Sequence, residues 1–323
     1  MTELITPGRW RGLQQTSTTA HKFNILAFDQ RGTYRKMLPE GTSYERAAEI
    51  KREVVGLLSN EVSAVLLDHE YGMEAALHMN GHAGLLFALE KSGYSGGATN
   101  RDVDFIDGWT VAKIKRTGAS AVKMLVYYNP DTGALAEETE GIVARIVAEC
   151  HQYDLPLFLE PLAYSIDLTI ARESAEFAST LQHIVTETAR RLGALKPDVL
   201  KLEFPLNISV EQDQALWRTA CEQISSVCPV PWVILSAGVD FEAFVPQVEI
   251  ACRAGASGFL AGRAIWKESV TMSDDDRQQF IKTVAVDRAR RMTELAAQYA
   301  RPWTDFYTPI PASDTWYTSY ESI

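Results

Sequence analysis

Val199-Leu200-Lys201-Leu202-Glu203-Phe204 reads as a buried β-strand with an ammonium group inside it. Aliphatic residues on both faces of so short a run mark a strand covered on both sides, as in a parallel sheet. Similar runs stand at Phe23–Phe28, Ala64–Leu67, Leu85–Leu89, Ala121–Tyr127, Leu157–Glu160, Trp232–Leu235 and Gly258–Leu260, which makes eight. Helical periodicity fills the gaps at about 43–60, 70–81, 107–117, 134–153, 168–193, 209–226 and 241–254, with more helix after Arg263. Eight strand–helix units between Phe23 and Leu260 predict a single-domain α/β protein, a (β/α)8 TIM barrel. An open doubly wound sheet would carry a Gly-rich phosphate turn after its first strand, and Asp29-Gln30-Arg31-Gly32 is no such turn. The expected organisation is an N-terminal extension over 1–22, the barrel over 23–300 and an aromatic-rich tail over 301–323. The tail carries Phe306, Tyr307, Trp316, Tyr317 and Tyr320, and is expected to dock on its own domain or on a partner subunit rather than to cover the active site.

Asp29, Asp68, Glu90, Glu160, Glu203 and Ser236 fall at or just past the C-terminal ends of these strands, the rim where such barrels assemble their chemistry. Side chains alternate along a strand, so Lys201 and Glu203 share one face while Leu200 and Leu202 take the other. By the same rule Glu160 lies with Phe158, and Lys123 with Leu125 and Tyr127. If these faces line the lumen, Lys123, Glu160 and Lys201 converge. Desolvation lowers a lysine's pKa, and a neutral amine attacks carbonyl carbon. Each ammonium is expected to lower the other's pKa, with Glu160 favouring whichever stays charged. The set supplies an amine nucleophile, a second cation and a proton-transfer acid, the equipment of Schiff-base chemistry. The competing view is a buried ion-pair cluster that only fixes the lumen.

A second polar group follows strands seven and eight, as Ser236-Ala237-Gly238-Val239 and Ala261-Gly262-Arg263. Glycines let backbone approach a ligand, and barrels commonly bind phosphate at these two loops. Tight turns and a solvated arginine are the plainer explanation. Asp29, Gln30 and Arg31 lie on the same rim and could hold substrate hydroxyls or, through Arg31, a second anionic group; a simple turn explains them almost as well. His78 and His82 stand four apart near His69, yet there is no HExxH and no cysteine partner, and Gly81 interrupts the helix. Neither a metal nor another cofactor is expected.

The 323 residues include 46% hydrophobic and 23% charged side chains, enough for a sizeable core in a soluble protein. A net charge of −11 argues against nucleic acid and anionic membrane as partners. No apolar stretch is long enough to span a bilayer, and the N-terminus lacks a secretion signal. Cys150, Cys221, Cys228 and Cys252 form no CxxC pair and read as reduced thiols of a cytoplasmic protein. The expected partners are a small sugar phosphate and further copies of the same chain, as a homo-oligomer.

Several blocks together resemble the class I tagatose 1,6-bisphosphate aldolases, in order from about residue 23 to 270. They are Leu26-Ala27-Phe28-Asp29-Gln30-Arg31-Gly32, Leu67-Asp68-His69-Glu70-Tyr71-Gly72, Glu90-Lys91-Ser92-Gly93-Tyr94, Ala121-Val122-Lys123, Phe158-Leu159-Glu160, Asp198-Val199-Leu200-Lys201, Leu235-Ser236-Ala237-Gly238-Val239 and Gly262-Arg263-Ala264. The resemblance implies a (β/α)8 barrel, metal-free reversible cleavage of a ketose phosphate, and dihydroxyacetone phosphate as one product. It implies Lys201 as the Schiff-base lysine, Glu160 as the acid/base and Lys123 as the neighbouring active-site lysine. Asp29, Gln30, Ser236, Gly238, Gly262 and Arg263 match positions that hold substrate hydroxyls and the 1-phosphate. Glu160-Pro161 and the run from Gly258 to Ala264 look more like the related sulfofructose-phosphate aldolases, and His69 replaces a usual proline. The far end of the substrate is thus left open between phosphate and sulfonate. A Schiff-base dehydratase or transaldolase, and a non-catalytic sugar-phosphate sensor, are the rival functions.

Overall fold

In the computed structural model, which describes residues 2–318 and 320, eight parallel strands close on one another. They are β1 (Phe23–Phe28), β2 (Ala64–Leu67), β3 (Gly84–Ala88), β4 (Ala121–Tyr127), β5 (Leu157–Leu162), β6 (Val199–Leu202), β7 (Trp232–Leu235) and β8 (Gly258–Ala261). Neighbours in sequence are neighbours in the sheet, and β8 returns to β1 with Phe23 opposite Gly258. The expected TIM barrel is the observed fold.

Residue parity sorts the core into two layers. Leu26, Phe28, Val65, Leu67, Phe87, Val122, Met124, Leu200 and Leu202 pack outward among the helices. Phe23, Ile25, Leu66, Leu86, Phe158, Val199, Val233 and Leu260 fill the lumen. A one-residue slip in any strand would exchange the two sets, so burial on both faces pins the register.

Several boundaries differ from the sequence reading, each for a local reason. β5 continues past Glu160 to Leu162 because Pro161 pairs opposite Val126 near the strand's end. β6 stops at Leu202, leaving Glu203 beyond the ladder. The helix expected over 70–81 contracts to Met73–His78. Asp68 Oδ1 accepts the Glu70 and Tyr71 N–H groups at 2.9 and 2.8 Å, which makes a capped turn of what looked like the first helical turn. Ser174 and Asp213 likewise cap helices that begin only at Ala175 and Gln214. A short helix at Gly32–Met37 and another at Pro7–Thr16 were not anticipated.

The barrel floor is sealed by both ends of the chain. Glu3–Ile5 pairs in parallel with Tyr307–Pro309. Fully buried Trp303 meets Trp10 edge-on at 4.6 Å and donates from Nε1 to Ser17 Oγ at 2.9 Å. Asp198, just before β6, accepts two guanidinium N–H groups of Arg9 at 2.8 Å, and its carbonyl accepts the Tyr307 hydroxyl at 2.9 Å. The expected tail thus docks on its own domain at the end opposite the rim. Phe306 packs with it, Tyr320 OH accepts the Gly8 N–H, and Trp316 and Tyr317 are exposed. The last part of that tail, at Ser319 and 321–323, lies outside the described residues, as does Met1 of the N-terminal stretch. Among the described residues no helix is long and apolar enough to cross a membrane.

Candidate active site

Lys123, Glu160 and Lys201 come from three adjacent strands and point into the lumen, as alternation requires. Glu160 Oε2 lies 2.8 Å from Lys201 Nζ and 2.9 Å from Lys123 Nζ, so one carboxylate oxygen joins both amines. All three are nearly inaccessible to solvent. Lys123 has two further partners, Asp29 Oδ2 at 2.8 Å and Glu90 Oε1 at 2.9 Å. Burial alone would lower its pKa, but Asp29, Glu160 and Glu90 together outweigh burial and hold it well above the ordinary lysine value. The mutual lowering expected of the two lysines is therefore corrected for Lys123: it is a fixed cation, because carboxylates also arrive from beyond β1 and β3. The same cations pull the carboxyls of Asp29 and Glu160 down, against the upward push of burial.

Lys201 differs from Lys123 in having Glu160 as its only charged partner among the described residues. The barrel thus holds one lysine in a cage of three carboxylates and another at the cage's open edge.

Other rim residues divide clearly. Arg31 is buried, with Nη1 donating to the Glu90 carbonyl at 2.6 Å and Nη2 to Glu90 Oε1 at 3.2 Å. Its guanidinium is engaged in holding Glu90, although it lines a cavity beside Lys123. Asp68 does not face the rim's interior. It turns outward to form a fully buried pair with Lys51, whose Nζ also donates to the Phe28 carbonyl at 2.7 Å. Glu203 sits past the strand, accepts the Ala163 N–H at 2.7 Å and pairs with Arg172. Burial raises its carboxyl pKa despite Arg172. Asp29 Oδ1 and Gln30 Oε1 are buried acceptors without a hydrogen-bond partner among the described residues, a state that substrate hydroxyls would relieve.

On the opposite wall, Gly238 has φ +86° and Ala237 φ +47°, a left-handed turn. A Cβ on Gly238 would stand 2.9–3.0 Å from the Arg263 guanidinium, so glycine is what lets that side chain lie over the loop. A Cβ on Gly262 would meet the Ala27 carbonyl at 2.3 Å. Among the described residues the Arg263 guanidinium has no hydrogen-bond or ion-pair partner. The helix after β8, Arg263–Trp266, is a single turn and contributes less than the sequence suggested.

A cavity of about 310 Å³, within the range of small-molecule sites, joins Gln30, Glu160 and Lys201 to Ser236, Gly262 and Arg263. Asp29 and Lys123 line a second cavity that shares Gln30, Glu160 and Arg263 with the first. Lys201 and Glu160 form the base of the first, with Ser236, Gly262 and Arg263 to one side. Arg101 and Arg172 to the other side were missed. Arg101 stands in a Gly-Gly-Ala-Thr-Asn tract without periodicity, and no local signal marks it. The histidines are not gathered: His78 Nδ1 bonds its own helix at Glu74 O, 2.8 Å, and His82 is exposed. Among the described residues no group of three or more His, Cys, Asp or Glu could hold a metal ion.

Residues 23–268 match the DeoC/LacD family aldolase model. The tagatose 1,6-diphosphate aldolase of Listeria monocytogenes serotype 4a is 33% identical over 328 residues, covering 94% of this chain and 96% of that one. Tagatose 1,6-diphosphate aldolase 2 of Streptococcus pyogenes serotype M3 is 33% identical over 333 residues, covering 94% and 99%. Among solved structures, a Schiff-base-forming fructose-1,6-bisphosphate aldolase superposes with TM-score 0.58 at 18% identity, over 89% of this chain and 99% of that one. Fructose-bisphosphate aldolase from Plasmodium falciparum gives TM-score 0.71 at 14% identity, over 93% and 98%. At such identities the structural likeness speaks for the barrel alone.

Proposed function

The chain belongs to the DeoC/LacD family of aldolases, and from that premise we propose that it cleaves tagatose 1,6-bisphosphate reversibly through a Schiff base on Lys201. The observation that carries this reading is the 2.8 Å contact between the buried side chains of Lys201 and Glu160, Nζ to Oε2.

In the proposed cycle, Glu160 takes a proton from the Lys201 amino group beside it, and the freed amine adds to the C2 ketone. Glu160 gives that proton to the carbinolamine hydroxyl, which leaves as water and gives a protonated imine, with Glu160 again a carboxylate. Glu160 takes the proton of the C4 hydroxyl, the C3–C4 bond breaks, and its electron pair flows to the iminium nitrogen, giving an enamine and releasing an aldehyde. Glu160 returns the proton to C3, and water frees dihydroxyacetone phosphate. Lys123, kept charged by its three carboxylates, stabilises the negative charge that accumulates near Glu160 and the sugar oxygens. Ser236, Gly238, Gly262 and Arg263 hold the 1-phosphate, and Asp29 and Gln30 the hydroxyls.

The reading includes a cytoplasmic setting, supported by four buried free thiols, and a metal-free reaction. It also includes a homo-oligomer, supported by the exposed Val210 and Leu216 beside Leu206 in one surface groove.

Borohydride reduction in the presence of dihydroxyacetone phosphate tests the reading. The intact protein should gain one covalent adduct, located on Lys201 by peptide mass, and Lys201→Met should gain none and lose turnover. An adduct retained in that variant would move the Schiff base elsewhere.

A further inference from the structure

Arg101 lies outside every role assigned above. It reaches the cavity from the segment after β3, which folds back on itself through Ser95 N to Asp102 O at 3.0 Å and Asp102 N to Ser95 O at 3.2 Å. Its guanidinium stands 5.0 Å from the Tyr94 ring centre and 5.1 Å from those of Tyr127 and Tyr164. Tyr127 ends β4, Tyr164 follows β5, and Tyr94 meets Tyr127 edge-on at 5.1 Å. Nε donates to the Ala98 carbonyl at 3.1 Å, while the two terminal amino groups have no polar partner among the described residues.

Given the reading of Lys201 and Arg263 proposed above, on which this inference rests, we propose that Arg101 holds the anionic group at the end of the substrate remote from the ketone. The order of strands supplies the direction. Lys201 is on β6, the 1-phosphate loops follow β7 and β8, and the cage of Arg101 stands over β4 and β5. A ketose anchored by C1 beyond β7 and β8, with C2 at Lys201, extends its other end towards that cage.

The alternatives along the cavity are already engaged. Arg31 is spent on Glu90, and the charge of Arg172 is matched by Glu203. Arg101 has no carboxylate partner among the described residues. Three aromatic rings flank its guanidinium and hold its plane, and it lines the cavity with its two terminal amino groups unpartnered among the described residues. A planar fork with two parallel N–H donors suits a tetrahedral oxyanion, and the same chemistry serves a phosphate or a sulfonate.

The test compares three substrates: a ketohexose 1,6-bisphosphate, its 6-deoxy-6-sulfo 1-phosphate counterpart, and the ketohexose 1-phosphate with no remote anion. The readout is kcat/KM for the better of the two doubly anionic substrates divided by that for the 1-phosphate. Arg101→Met should lower this ratio at least fivefold, chiefly through KM of the doubly anionic substrate, and Arg101→Lys should recover part of it. A change below fivefold overturns the proposal, and so does a lysine variant no better than methionine, since the loss would then be one of packing. Whichever doubly anionic substrate the unaltered enzyme prefers identifies the remote group. Trapping with dihydroxyacetone phosphate, which lacks a remote anion, separates the two claims: if trapping fails, the Schiff-base reading falls and takes this inference with it. If trapping succeeds while the ratio stays put, only Arg101 falls.

Discussion

Lys123 Nζ and Glu160 Oε2 lie 2.9 Å apart, and the same oxygen lies 2.8 Å from Lys201 Nζ, so the acid/base candidate is held by one cation while it serves the other. This arrangement separates two duties that a single lysine–carboxylate pair would have to combine. Lys123 is held by three carboxylates and Lys201 by one, which suits the proposed division between a fixed cation and a covalent amine.

Removing the balancing cation should be felt in stability as well as rate. In Lys123→Met, Asp29, Glu90 and Glu160 would be crowded without their shared partner, a loss of about 3–5 kcal/mol for a broken buried pair. Asp29 and Glu160 have folded pKa values below their unfolded values near 4. They therefore add stability above pH ~4 that is lost as the pH falls through the folded values. In the variant the remaining carboxylates repel, so acidification from neutral pH towards 5 should stabilise it. Urea midpoints at pH 7.5, 5 and 3.5 for both proteins check this; parallel pH profiles would refute it.

Lys51→Met should cost a similar ~3–5 kcal/mol by stranding Asp68 in the layer between barrel and helix. Because that pair faces away from the lumen, kcat of the folded fraction should stay within about twofold. Chemical denaturation together with kinetics well below the melting temperature measures both.

Gly238→Ala tests the proposed 1-phosphate site. The new methyl would press on the Arg263 guanidinium and sit at φ +86°, whereas Gly41, at φ +78° with open space around it, offers the same strain without a neighbour. Both variants should lose roughly 1 kcal/mol of stability. Only Gly238→Ala should raise KM for the phosphorylated ketose, by roughly tenfold if about 1.4 kcal/mol of phosphate binding is lost.

Trp303→Ala would open the barrel floor, where Trp303 is fully buried against Trp10. An expected loss of about 3–5 kcal/mol in unfolding free energy, with kcat little changed, follows from its place at the end opposite Lys201. A large fall in kcat with unchanged stability would contradict that division between floor and rim.

The eight strands and the Lys123–Glu160–Lys201 group were legible because each strand buries both faces, so a charged residue at an inward position stands out against aliphatic neighbours. The sign of the shift at Lys123 was not legible. It depends on carboxylates from beyond β1 and β3, and only closure of the barrel brings Asp29 and Glu90 to within 3 Å. Lys51 was hidden for a different reason: next to Arg52 on an amphipathic helix it resembles any solvated lysine, and its burial is visible only once Asp68 turns outward. Arg101 has no periodic surroundings, and the three tyrosines that cage it come from three separate segments.

The parallel pairing of Glu3–Ile5 with Tyr307–Pro309 has a bearing on how the protein is made. Synthesis runs from the N-terminus at about 5–20 residues per second. Residues 6–306 must therefore be made before Glu3–Ile5 can meet its mate. Until then the apolar lumen floor around Phe23 and Phe158 lacks the cover of Trp303 and Tyr307, so the growing chain carries that surface unshielded.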